Sequence, residues 1–118
     1  MFHIVEHNAA MESTLGEFEQ LVLIAVVRLD DGPYGATIRR EIEERTKRRL
    51  SISAVYTTLD RLERKGFVRS WIGEPTPARG GRRRKHFALQ PAGARALRAA
   101  YHAFGAMTAG LERRLKTL

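Results

Sequence analysis

The side chains in this sequence that could do chemistry gather in two places. One is Ser53 to Val68, SAVYTTLDRLERKGFV, where Ser53, Tyr56, Thr57, Thr58, Arg61 and Arg64 bring hydroxyls and guanidiniums into one short stretch. The other is Arg79, Arg82, Arg83, Arg84 and Lys85, crowded around Gly80-Gly81. Hydroxyls and guanidiniums at such spacing donate hydrogen bonds to phosphates and other anions. They do not form a nucleophile–base set, and no Ser/His/Asp arrangement is visible. With no cysteine, thiolate chemistry, disulfides and Cys-ligated zinc are excluded. The glycines at 80 and 81 lack the strand–GxxxxGK[ST]–helix setting of a phosphate loop. His3 and His7 stand at i, i+4, a spacing that could clamp a metal on a helix, but no Asp, Glu or Cys constellation supports them. No enzyme, metal or cofactor is expected.

The whole chain frames what those residues could meet. Its 118 residues suit one domain, or one domain with an appendage, and 43% hydrophobic content can bury a small core. A net charge of +8 favours a polyanionic partner: nucleic acid, an anionic membrane surface or an acidic protein. Charge alone does not choose among them. The start, MFHIVEHNAA, has no secretory pattern, and the longest apolar run, Leu21 to Val27, is far short of a membrane span. A cytoplasmic protein with no membrane partner is the expectation.

Helical periodicity places the first cluster. Val55, Leu59 and Leu62 fall at i, i+4, i+7 on one face, and Thr57, Arg61 and Arg64 share the spacing on another. Ser53 is the expected N-cap, and Lys65-Gly66 gives a basic last turn and a C′ glycine. The same face taken alone also fits plain solvated charge.

Residues 1–13 show no clear period and read as a flexible arm. Thr14-Leu15-Gly16-Glu17 matches a capping box for a first helix, Leu15 to Leu29, apolar on most sides and so buried by its own domain on one face and a partner on another. Asp30-Asp31-Gly32-Pro33 ends it. A second helix from Ala36 to about Thr46 has a narrow stripe, Ile38 and Ile42, under solvated or paired charges. Leu50-Ser51-Ile52 could edge a small sheet. Phe67 to Ile72 and Arg84 to Leu89 read as a hairpin around a basic loop, with Phe87 and Leu89 on the core face.

Pro91 suits the first position of a last helix running to Leu118. There Leu97, Tyr101, Phe104, Thr108, Leu111, Leu115 and Leu118 alternate by 4 and 3, a heptad seam. At 1.5 Å per residue this helix would be about 40 Å long, too long for so small a domain to cover. A helix folded back on its own domain and one paired with its copy both fit; the seam favours pairing.

The predicted architecture is mainly α with a small β-hairpin: residues 14–90 a winged helix-turn-helix, residues 91–118 a dimerisation helix. In such a fold the third helix enters the major groove and the hairpin reaches the flanking backbone. Tyr34-Gly35 before Ile38, AVYTTLDRLERKGFV, and GEPTPARGGRRRKHFALQPAG together resemble the PadR family of bacterial transcription regulators, from about Thr14 to Gly93. The single helix after Pro-Ala-Gly is similar to the family's short-tailed branch. Two residues depart from the family pattern: Gln90, where threonine is common and would cap better, and His86-Phe87, where two aromatic residues, often tyrosines, are common.

The resemblance implies a cytoplasmic homodimer, usually a repressor, that leaves a palindromic double-stranded DNA operator when a small-molecule effector or other signal is sensed. It also implies that Tyr56 hydrogen-bonds a phosphate, although a tyrosine there could equally pack beside the next helix. Ser53, Thr57 and Thr58 would reach phosphates or base edges. Arg61 and Arg64 would meet the backbone, and Arg82, Arg83 and Lys85 on the wing would meet phosphates or a minor groove. Phe18, Leu97, Tyr101, Phe104, Thr108, Leu111 and Leu115 would form the dimer interface. Phe18, Tyr101, Phe104 and Met107 could line a cavity between subunits, though plain packing explains them as well, and Trp71 could pack on the last helix. The rival reading is a winged-helix protein-interaction module with no specific DNA site.

Overall fold

The computed structural model describes residues 14–75 and 83–118. Helices α1 (Glu17–Leu29), α2 (Gly35–Thr46) and α3 (Ile52–Arg64) precede strands β1 (Val68–Ile72) and β2 (Lys85–Leu89). Helices α4 (Pro91–Thr108) and α5 (Glu112–Thr117) follow. The expected arm at 1–13, with His3 and His7, lies outside the described residues, as do Arg79, Gly80, Gly81 and Arg82.

Helix α1 is the hub, touching α2, α3, α4 and β2. Val22, Leu23, Ala25 and Val26 are buried against Ile38 and Ile42 of α2 and Val55, Leu59 and Leu62 of α3. Ile24 and Val27 stay exposed on the opposite side. Its start differs from the expected box. Gly16 is the N-cap, and the Gly16 amide donates to Glu19 Oε1 at 2.9 Å. The capping pair is thus Gly16 with Glu19, and Glu17 receives both Arg48 amino groups, at 3.0 and 2.7 Å.

Helix α3 ends as its Lys65-Gly66 signal requires. Gly66 has φ +79°, its amide donates to Glu63 O, and Phe67 N donates to Leu62 O, both at 2.9 Å. These two bonds are the Schellman closure of orphan carbonyls. The turn feeds β1, which pairs antiparallel with β2 from Val68↔Leu89 to Ile72↔Lys85. Leu50-Ser51-Ile52 does not join this sheet. Tyr34 does, through a bridge to His86 and a bond from Phe87 N to Pro33 O at 2.9 Å. Ser51 and Ile52 are instead committed to starting α3.

Gly93 lets α4 close on the α3–β1 turn, since a Cβ there would stand 2.2 Å from Phe67 O. Gln90, the N-cap of α4, makes no side-chain capping bond. The continuous helix expected to Leu118 is interrupted. Helix α4 stops at Thr108, Gly110 takes φ +82°, and α5 starts afresh. Residues 109–110 thus divide the heptad seam, leaving Leu111 and Leu115 on a separate short helix.

Candidate nucleic-acid interface

Helix α3 shows one face inward and one outward. Val55, Thr58, Leu59 and Leu62 are buried; Ser53, Ala54, Tyr56, Thr57, Asp60, Arg61 and Arg64 are exposed. Thr58 is 4% exposed, so its hydroxyl cannot serve the outer face. At 100° per residue, position 58 falls about 40° from position 62, at the edge of the buried side. The N-cap is Ser51 rather than Ser53: Ser51 Oγ accepts from Ala54 N at 3.1 Å. Ser53 sits one position into the helix, its Oγ 3.3 Å from Ser51 Oγ. Tyr56 leans over the start of α2 with its phenol against Gly35 and its outer edge in solvent.

Strand alternation divides the wing's side chains. The inner face carries Val68, Ser70, Phe87 and Lys85, and Phe87 is fully buried. Glu63 of α3 holds both strands there, accepting from Ser70 Oγ at 2.5 Å and lying 3.5 Å from Lys85 Nζ. Lys85, expected to reach DNA, is thus engaged by a carboxylate. The outer face carries Arg69, Trp71, His86 and Arg84. Trp71 does not pack on the last helix. It stacks on His86, centroids 5.6 Å apart, with its ring edge over Gly32. On that face His86 is also held from a second side. Its Nδ1 donates to Gly32 O at 2.6 Å and its ring meets the edge of Tyr34. The sequence offered no sign of this knot, because Gly32 and His86 are far apart along the chain. Arg83 is exposed, and the Arg84 guanidinium lies 4.6 Å from the Tyr34 ring centroid.

Electrostatics separate bound from free cations. Arg39 and Arg45 lie along Glu43 and Glu41 of their own helix. Burial would raise the Glu19 carboxyl, but the hydrogen bond from Lys65, the Gly16 amide and the charges of Lys65 and Arg61 together hold it below the usual value. Arg61 therefore spends part of its field on Glu19. Arg64 Nε donates to Asp60 O within its own helix at 3.4 Å.

Much of the apolar surface of α4 is uncovered. Tyr101, Phe104 and Met107 are 75, 71 and 78% exposed, and Ile24 and Val27 continue the apolar surface on α1. Phe18 and Leu97 are partly buried against the core, and Thr108 Oγ1 turns back to Phe104 O at 2.8 Å. A groove of about 380 Å³ lies between Val27, Leu97 and Tyr101, and another of about 480 Å³ between Leu15, Ala100 and Phe104. Among the described residues no helix is long and apolar enough to cross a membrane, and no group of three or more His, Cys, Asp or Glu could hold a metal.

The sequence model of the transcriptional regulator PadR-like family matches residues 23–99. No curated protein matches the sequence. A transcriptional regulator from Clostridium thermocellum is 20% identical, covering 80% of this chain and 86% of its own, with a TM-score of 0.65. A PadR family transcription regulator from Clostridium difficile R20291 is 22% identical over 85% of this chain and 99% of its own, with a TM-score of 0.69. A PadR-like transcriptional regulator from Bacillus cereus strain ATCC 14579 is 15% identical over 83% and 90%, with a TM-score of 0.67. At these identities the likeness establishes a shared winged-helix fold.

Proposed function

This chain belongs to the PadR-like family of transcriptional regulators, and we propose that it binds double-stranded DNA sequence-specifically, as a cytoplasmic homodimer that represses until a small molecule or other signal releases it. Its family and structural relatives regulate transcription and are not enzymes. One observation carries the reading: α3 buries its aliphatic stripe and leaves its hydroxyl- and arginine-bearing face open beside a basic wing.

Ser53 and Thr57 lie near the start of α3, where a recognition helix meets base edges. Tyr56, Arg61, Arg64 and Arg83 supply backbone contacts, and Lys85 holds the wing through Glu63. Residues 14–90 do the binding and 91–118 the pairing. In support of pairing, Tyr101, Phe104 and Met107 present a large apolar surface that a soluble monomer rarely leaves bare. A two-fold dimer predicts a palindrome with half-sites about one turn, roughly 10 bp, apart. Few long forked side chains stand at the start of α3, so half-site spacing and DNA shape carry much of the choice.

The test is fluorescence-anisotropy binding to the DNA upstream of the chain's own coding region, at several salt concentrations, with unrelated duplex as competitor. Binding that survives competitor and tightens as salt falls supports the proposal. No binding even at low salt would overturn it and leave α4 as a docking face for a different protein.

A further inference from the structure

Several basic side chains around α2, α3 and the wing are already matched with an acid. Arg39, Arg45, Arg48, Lys65 and Lys85 each pair with a glutamate. Arg69 stacks 4.7 Å from the Trp71 ring centroid and borders a hollow shared with Asp30 and Asp31. Arg84 is different. It is exposed, has no acidic partner among the described residues, and is still held in place by the Tyr34 ring 4.6 Å below it. Residues next to a glycine-rich loop are expected to wander, and this one is not left to do so.

The ring beneath Arg84 is itself fixed. Tyr34 is the N-cap of α2; its amide donates to Thr37 Oγ1 at 3.1 Å, and its ring stands at 88° to His86. The next residue, Gly35, is covered by the Tyr56 phenol. The uncompensated guanidinium over Tyr34 and the half-exposed phenol over Gly35 therefore stand on consecutive residues at the start of α2. A guanidinium stacked on a ring keeps its N–H edges outward and loses little freedom on binding an oxyanion.

We propose that Arg84, preordered by Tyr34, grips a backbone phosphate of the bound duplex beside Tyr56, as an anchor separate from the loop at the wing tip. The inference rests on the DNA-binding reading above. It assigns affinity and register, not base choice, to this contact.

The experiment measures duplex affinity against salt for wild type, Arg84→Ala, Arg84→Lys and Tyr34→Leu, with thermal unfolding as the check on folding. Losing one phosphate contact removes about 0.9 from the slope of log K against log salt, equivalent to about a fivefold loss of affinity near 150 mM. Arg84→Ala should show both. Arg84→Lys and Tyr34→Leu keep the charge, so they should weaken binding about two- to fivefold with the slope unchanged. Should Tyr34→Leu fail to fold, the two Arg84 variants decide alone. Wild-type slope and affinity in Arg84→Ala would overturn the anchor while leaving the DNA-binding reading intact. A wild-type protein that binds no duplex would overturn that reading first.

Discussion

The phenol of Tyr56 closes on Gly35 so tightly that a Cβ there would stand 2.4 Å from Cζ and 2.6 Å from the hydroxyl oxygen. The obstructing atoms are the far end of a half-exposed side chain, so Gly35→Ala is expected to push Tyr56 into solvent rather than unfold the protein. The unfolding midpoint should move by only a few degrees, equivalent to about 1 kcal/mol or less. Duplex affinity should fall several-fold. Equal losses of stability and affinity would mean that Tyr56 matters only as packing.

Tyr56→Phe separates the two roles of that ring. The packing on Gly35 survives and the hydroxyl goes. A hydroxyl that donates to phosphate should cost about 1 kcal/mol of binding, roughly fivefold, when removed. Unchanged affinity in the anisotropy titration would assign Tyr56 to the core edge.

Acid should loosen the junction of α1 and α3. Lys65 Nζ lies 2.8 Å from Glu19 Oε2, and the Glu19 carboxyl is held below its ordinary value in the folded state. The folded protein therefore binds fewer protons at this site than the unfolded chain. The stabilisation is complete above the ordinary carboxylate value of about 4.5 and fades as pH falls through the lower folded value. Glu19→Gln should cost about 1–2 kcal/mol at pH 7. In urea titrations the gap from wild type should narrow below pH 4; a gap independent of pH contradicts this account.

Phe87 is the wing's anchor in the core, fully buried on β2. Phe87→Ala should destabilise the fold by about 3–5 kcal/mol. Urea unfolding gives the value, and a loss under 1 kcal/mol would show that the wing's attachment depends on Glu63 and His86 instead.

Pairing is tested on α4. Phe104 is 71% exposed, so Phe104→Glu should leave the chain folded while placing a charge in the proposed dimer seam. Sedimentation should show a shift from dimer to monomer with little change in helix content. A dimer as stable as wild type would move the interface elsewhere.

The sequence made the helices readable because each buries a clear stripe between strong stop signals, as at Asp30–Pro33 and Lys65-Gly66. Its errors came where one residue had two good uses. Ser51 and Ser53 both suit an N-cap, and the choice depends on where the backbone turns. Thr58 looks like a surface hydroxyl until the helix is rotated against α1. The break falls at Gly110, a weak helix former, inside a heptad spacing that runs straight through it. The knot of Gly32, Tyr34, Trp71 and His86 had no local signal at all, since it joins segments that meet only in the finished fold.

Glu63 has one carboxylate oxygen on each strand of the wing, through Ser70 and Lys85. The hairpin is thereby set at a fixed separation from the helix that carries Ser53 and Thr57. On the proposed duplex the molecule would act as a caliper with a locked jaw, gauging the distance from major groove to flanking backbone. A duplex that missed the gap would have to bend or narrow to fit, so the strain would fall on the DNA and the discrimination would lie in its flexibility.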